Sequence, residues 1–410
     1  MNYIMLLNTR NTLFACSVLV WSGMDSYAHA STLEQAQLKE SRNALANEAF
    51  YQAPQNGNAP TYAGALIRQE RATDYILPPG VQAYRILYHS LDATRHDVVS
   101  SAVVLVPAGP VPAGGWPVVA WAHGTSGVAR QCAPSLMKNL YYGNEGLFDF
   151  PAHGLAVVAT DYHGLGTSGA HQYMNKLAQG YDVIYSVAAA RSAVPALGSR
   201  WVADGHSQGG MASWSVGEME HDIADPGYLG TVSVSGTINM PDFVHPLPEE
   251  GGESFYTPMV AYGLQARYPQ FDPHSMLNAT GMAHYDGAVR QGCWYVANAL
   301  YDGQSIDSIT KKGWLDNKFV QSMFHEDAVA GQPLKGPLLV ITGGGDVTVP
   351  PEGVKATARA ACHNHIPLFF TELPGLDHDP TMVQSTAMQI AWIKDRFSGK
   401  PAMENCESLK

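Results

Sequence analysis

Apolar residues in this chain gather into short runs, many of them closed by a glycine-containing turn. Ala83 to Tyr88 and Ser101 to Val106 are β-type runs, and the polar stretch from Asp92 to Asp97 between them predicts an antiparallel turn. With Gly64 to Ile67 ahead of them, they open the fold on antiparallel strands. The later runs differ: Pro117 to Ala122, Ala156 to Thr160, Trp201 to Ala203, Leu229 to Gly236, Leu338 to Thr342 and Pro367 to Leu373 hold few polar positions. Parallel strands covered on both faces read this way. Residues 180 to 197 place Tyr181, Ile184, Tyr185, Ala188 and Ala189 at helical spacing. The succession predicts an α/β fold, a mostly parallel sheet with helices on both faces.

Two segments stand outside that rhythm. Residues 31 to 60 are helix-compatible from Leu33 to Phe50, then carry Pro54, Asn56-Gly57-Asn58 and Pro60. With no alternating apolar face, this leader is expected to wrap the outside. Between Gly236 and Pro337 lie roughly a hundred residues, far more than an ordinary strand-to-helix connection needs. They carry Phe243, Phe255, Tyr256, Tyr262, Tyr268, Phe271, Trp294, Tyr295, Trp314, Phe319 and Phe324. That apolar area has to be buried, so residues 237–335 are expected to form a cap over a site in a core made of 31–236 and 336–410.

The chemistry centres on Gly205-His206-Ser207-Gln208-Gly209, a Gly-X-Ser-X-Gly pattern. Lying between an apolar run and a small-residue segment able to start a helix, it predicts a sharp turn with Ser207 at its apex. The N–H groups and positive dipole end of such a helix point to where an acyl oxyanion would form, and Gln208 N–H is the first donor. His123-Gly124-Thr125-Ser126-Gly127 closes another buried strand and offers the Thr125 N–H as a second. His123 itself is expected to be a hydrogen-bonded loop residue. Asp161 precedes the nucleophile and is read, with Tyr162, as a turn builder.

After the insertion, Gly343-Gly344-Gly345-Asp346 follows one strand and Pro374-Gly375-Leu376-Asp377-His378 follows the next. Ser207, Asp346 and His378 thus occur in the order Ser, Asp, His, the latter two each just past a strand end. His363 and His365 precede the last strand and fall on the wrong side of the sheet. Asp377 and Asp379 flank His378 too closely to orient it through Nδ1.

Composition narrows the partners. The chain has 410 residues, 46% of them hydrophobic, and a formal charge of −12. That balance argues against nucleic acid or an anionic membrane as partner. Arg10, the apolar run from Leu13 to Trp21 and Ala28-His29-Ala30 have the layout of an export signal, residues 1–30, cleaved after Ala30. The apolar run is too short to span a bilayer, so no stable membrane anchor is expected. Cleavage removes Cys16 and leaves Cys132, Cys293, Cys362 and Cys406, enough for two disulfides in any of three connectivities. None forms a Cys-X2-Cys pair and no histidine pair has metalloprotease spacing, so neither metal nor cofactor is expected.

With these residues in place, the chain resembles the bacterial branch of the secretory lipase family, α/β hydrolases similar to fungal lipase A. The likeness runs over nearly all of the mature chain. It rests on Phe50-Tyr51-Gln52-Ala53-Pro54, Trp121-Ala122-His123-Gly124-Thr125, Gln131-Cys132-Ala133-Pro134-Ser135, Thr160-Asp161-Tyr162-His163-Gly164-Leu165-Gly166 and the Ser207 turn. The resemblance implies an α/β-hydrolase fold with a mostly helical cap, carboxylic ester hydrolysis, and a Ser207, Asp346, His378 triad. It also implies disulfides pairing Cys132 with Cys293 and Cys362 with Cys406. Some members place an acidic residue in the oxyanion loop where this chain has His123-Gly124-Thr125-Ser126, so only backbone donation at Thr125 carries over. The expected protein is a secreted or periplasmic esterase or lipase acting on a small-molecule, lipid or polyester substrate. Its rivals are an acyltransferase or amidase using the same triad, and a non-catalytic binding protein on the same fold.

Overall fold

The computed structural model describes residues 32–46, 49–52, 62–246 and 253–409; the expected export signal, residues 1–30, lies outside them. Nine strands form one sheet: β1 Leu66–Ala72, β2 Gln82–Leu91, β3 Asp97–Val106, β4 Trp116–Ala122, β5 Ala156–Thr160, β6 Leu197–His206, β7 Tyr228–Val234, β8 Leu338–Gly343 and β9 Leu368–Leu373. Their order is β1-β2-β3-β5-β4-β6-β7-β8-β9. From β5 to β9 all neighbours are parallel, whereas β1, β2 and β3 add an antiparallel flank, with β3 antiparallel to β5. In register, Ala122 lies beside Gly205, His206 beside Val234, and Gly343 beside Leu373. The carboxyl ends of β4, β6, β8 and β9 therefore share one rim, where open parallel sheets hold their ligands.

Alternation along each strand divides the core. Leu338 and Val340 face the helix Pro351–His363, while Leu339 and Ile341 pack with Ile390 and Ile393 of the helix His378–Phe397 on the other face. The helices Lys176–Ala193 and Gln208–Ile223 share the first face. The helix predicted over 180–197 starts earlier, because Asn175 caps it by accepting from Ala178 N, and ends at Ala193, before Pro195. The residue preceding a proline is driven out of helical conformation.

Among the described residues, six α-helices occupy the insertion between β7 and β8, including Tyr256–Arg267, Trp294–Tyr301 and Lys318–Glu326. Its aromatics bury one another: Phe255, Phe271 and Trp314 join Met259 and Met276 in a cluster that also takes in Met211 and Trp214 of the helix after Ser207.

The leader departs from expectation. Among the described residues it is helical over Thr32–Asn43, and Phe50 and Tyr51 are buried, with Tyr51 Oη 2.7 Å from Ser135 Oγ. Asn43, the last residue of the helix, turns its side chain to Asn139 at 2.7 Å. The helix does lie on the outside, with Ala36 its one buried residue, and Glu40 anchors it by accepting from Cys293 N and Val296 N at 3.0 and 2.8 Å.

Disulfides join Cys132 to Cys293, spanning 161 positions, and Cys362 to Cys406, spanning 44. The first ties the insertion to the loop after β4. The second holds the C-terminal segment against the open edge of β9, where Asn405 pairs with Leu368 O and with both backbone polar groups of Phe370. Covering that edge removes a template for pairing with another chain. Among the described residues, no helix is long and apolar enough to cross a membrane.

Candidate active site

β6 runs into Ser207 and the helix Gln208–Ile223 begins at the next residue. Reversing direction so abruptly puts Ser207 at φ 60° and ψ −124°. A side chain held there costs about 1–3 kcal/mol, so the surroundings must over-determine it. They do: Ser207 N donates to Val234 O at 2.9 Å, and Ser207 O accepts from Gly210 N at 2.8 Å and Thr237 N at 3.0 Å. Space requires the flanking glycines. A Cβ on Gly205 would run into the Gly209 carbonyl, and one on Gly209 into the carbonyl of Ala122 at the end of β4.

His378 opens the helix His378–Phe397, with Asp377 as its cap. Asp346 lies in the turn after β8 and is held from both sides. Its Oδ1 accepts from Thr348 N and Val349 N at 3.0 and 2.8 Å, and its Oδ2 lies 2.8 Å from His378 Nδ1. The proton of the imidazole therefore sits on Nδ1 and Nε2 keeps its lone pair. Among the described residues nothing hydrogen-bonds that Nε2, and the Ser207 hydroxyl stands free of it. Burial pulls the His378 pKa down, but the charge and hydrogen bond of Asp346, helped by Asp379 and Glu253, outweigh burial and leave it above its ordinary value.

Ser207, His378 and Thr125 line one cavity of about 410 Å³, together with Tyr142, Tyr256 and Trp294. Gly124 lies against the serine: a Cβ there would come 3.1 Å from Ser207 Cβ. The Thr125 hydroxyl is occupied by Tyr173 Oη at 2.7 Å, leaving its backbone as the group available to a substrate. Four carboxyl groups, Glu145, Glu253, Asp377 and Asp379, also line the cavity, against one ammonium, Lys39. Burial and the neighbouring Asp379 push the Glu145 carboxyl up to about 7.

Several supporting residues escaped the sequence reading. His206 packs its ring on His378 with centroids 4.5 Å apart. Its Nε2 lies 3.3 Å from His378 O and its Nδ1 2.8 Å from Tyr142 Oη. Burial, reinforced by His378, holds it far below the usual histidine range and hence neutral, so Nε2–H donates to the carbonyl and Nδ1 accepts from the tyrosine. His206, His378 and Asp379 are close enough to suggest a metal site, but these hydrogen bonds already engage both nitrogens of His206. His171 plays a similar part below Gln208. Its Nδ1 faces His163 O at 3.1 Å, so its Nε2 accepts from the Gln208 amide at 3.1 Å and fixes the first turn of the helix. No motif flags His171; His206 could have been suspected only from its place beside the serine.

His123 is held between Gly124 O and Asp161 O at 2.6 and 3.1 Å, and burial lowers its pKa to about 4. The Asp161 carboxylate accepts from Ser135 N at 2.8 Å and Ser101 Oγ at 2.5 Å, and Tyr162 Oη donates to His123 O at 3.0 Å. All three therefore brace the loops around the cavity. His363 ends the helix Pro351–His363 and does not line the cavity, nor does His365.

Two positions before His206, Asp204 is wholly buried and no side chain among the described residues bonds its carboxyl. Burial holds that carboxyl well above its usual range, against the smaller pull of the Gly205 N–H. The folded protein thus keeps a proton that the unfolded chain releases in the ordinary carboxylate range, and stability declines as pH rises from there through the folded pKa. Asp204→Asn has no such proton. In urea unfolding from pH 4 to pH 8, the variant should gain on the wild type steadily as pH rises; a constant difference would refute the buried, protonated carboxyl.

The profile of the secretory lipase family matches residues 147–405. No curated protein sequence matches the chain. Among solved structures, it is similar to lipase A of Candida antarctica in its closed state, at 16% identity and a TM-score of 0.75, over 88% of this chain and 89% of that one. It is also similar to LipA, the rice cell wall degrading esterase of Xanthomonas oryzae, at 16% identity and a TM-score of 0.68, over 83% of this chain and 100% of that one. The fold is that of the α/β hydrolases.

Proposed function

Because the chain belongs to the secretory lipase family, we propose that it is an exported carboxylic ester hydrolase working through an acyl-enzyme on Ser207. His378 is the base, Asp346 its orienting acid, and the N–H groups of Thr125 and Gln208 the oxyanion donors. The observation that carries this reading is the Asp346–His378 hydrogen bond of 2.8 Å, which leaves Nε2 unpartnered at a cavity Ser207 also lines.

In this mechanism the Ser207 hydroxyl turns to Nε2 by rotation about its Cα–Cβ bond. The proton passes from Oγ to Nε2 as Oγ attacks the ester carbonyl carbon, and the oxyanion meets the two backbone donors. When the carbon–oxygen bond to the alcohol breaks, Nε2–H protonates the departing oxygen. Water repeats the sequence on the acyl-enzyme, returning the proton to Oγ and releasing the acid. The carboxylate product then lies beside Asp377 and Asp379, whose repulsion favours its departure.

Residues 237–335 act as the cap: Glu253, Tyr256, Trp294 and Tyr295 of that segment line the cavity. Residues 1–30 serve as the export signal, in keeping with two disulfides that persist in an oxidising compartment. The deciding experiment is labelling with a fluorophosphonate, which reacts with an activated serine alone. Mass spectrometry should find one adduct, on Ser207, formed in step with loss of p-nitrophenyl acetate hydrolysis; an unlabelled Ser207 in a folded protein would favour a non-catalytic binding role.

A further inference from the structure

A second cavity, of about 590 Å³, lies under the leader helix Thr32–Asn43. Lys39, Tyr141, Glu145, Trp294 and Tyr295 line both it and the Ser207 cavity, so the two meet at those residues. Its size falls within the roughly 300–1,000 Å³ of small-molecule sites.

The helix that roofs it is built in at several points. Glu40 accepts from two N–H groups, Cys293 and Val296, at the start of the helix Trp294–Tyr301, and Lys39 Nζ sits 3.6 Å over the Tyr295 ring. At its C-terminal end, Asn43 O accepts from Lys138 N at 2.8 Å, and Ala44 pairs with Met137 as an isolated bridge. Beside these anchors the Cys132–Cys293 bridge ties the insertion to the loop after β4.

Polar side chains in the lining are mostly spent on the protein. Glu40 is used as above, Asn43 bonds Asn139, Gln131 bonds Arg290 O, and Ser126 bonds Cys132 O. Apart from Gln37, Glu145 and Gln291, what remains for a ligand is apolar: Leu33, Leu136, Met137, Trp294, Val296 and Leu300. A surface with few free polar groups rewards burial of hydrocarbon and selects for little else.

We propose that this cavity takes the apolar acyl chain of the ester substrate, so that the leader helix sets the enzyme's chain-length preference. The proposal rests on the ester hydrolase reading of Ser207. Chains longer than the Ser207 cavity holds pass Tyr141 and Trp294 and continue under the helix.

Leu33→Trp and Leu300→Trp test it. Both residues are half-buried, one on the roof and one on the floor, and each variant fills the cavity from a different element. The readout is kcat/KM along a p-nitrophenyl ester series from acetate to dodecanoate, with alkyl acetates of increasing alcohol length run in parallel. The ratio of dodecanoate to acetate should fall at least tenfold in either variant that folds. An active wild type whose acyl ratio is unmoved by both variants overturns the subsite, and so does a change confined to the alkyl acetate series, which would place the alcohol there. A wild type inert toward every ester overturns the hydrolase reading and this proposal together.

Discussion

Ser207→Ala is expected to lower kcat/KM for p-nitrophenyl acetate by about 10⁴-fold or more while leaving the protein folded, the scale on which serine triads lose activity with their nucleophile. The two halves of that expectation come from different features. The hydroxyl stands free of His378 Nε2, so truncation breaks no bond between them, and alanine meets the same backbone demand at φ 60° as serine does. Thermal unfolding should therefore move by only a degree or two. In the proposed mechanism Ser207 alone forms the ester intermediate. The residual rate would come from water, aided by backbone donors and by binding. A variant that keeps even a hundredth of the wild-type rate, in a preparation free of wild-type protein, would show that the ester bond is broken elsewhere.

Nearly as large a loss, on the order of 10⁴-fold, is expected for Asp346→Asn, and it arises from tautomerism rather than from charge alone. Thr348 N and Val349 N fix Oδ1, so an asparagine would keep its carbonyl oxygen there and present its NH₂ where Oδ2 meets His378. An amide donating to Nδ1 forces the imidazole proton onto Nε2, which then cannot accept from the serine. The pH profile separates this from a merely structural effect. In the proposed mechanism, protonation of His378 removes the base, so activity of the wild type should fall as pH drops through its pKa. Asp346 overcomes burial and holds that pKa above the ordinary value, placing the acid limb on the high side of 6.5. Without the carboxylate, burial dominates and the limb moves to lower pH. An acid limb unmoved by the substitution would detach Asp346 from His378.

The order of apolar runs made the parallel sheet legible, because a strand covered on both faces has few positions at which a polar residue is tolerated. The antiparallel flank was legible too, from the polar turn between β2 and β3. Ser207, Asp346 and His378 could be picked out by their places after strand ends, and those ends do share a rim in the folded sheet. The bracing residues could not. His171 reaches Gln208 across 37 positions and Tyr142 reaches His206 across 64, and neither contact leaves a local pattern. The anchoring of the leader helix was hidden for a related reason. Its apolar stripe is weak because it is held by Glu40 and Asn43 through hydrogen bonds rather than by a greasy face, and hydropathy is blind to such anchoring.

The backbone at Ser207 carries a consequence for anyone breeding sturdier forms of this protein. Glycine would relax a conformation that serine endures, so a library sorted for heat survival alone has an incentive to discard the hydroxyl. Position 207 would then be among the first sites to drift, and the survivors would be durable and inert. Screens must therefore score turnover in the same round as heat tolerance, because selection on robustness alone would run against the residue proposed as the nucleophile.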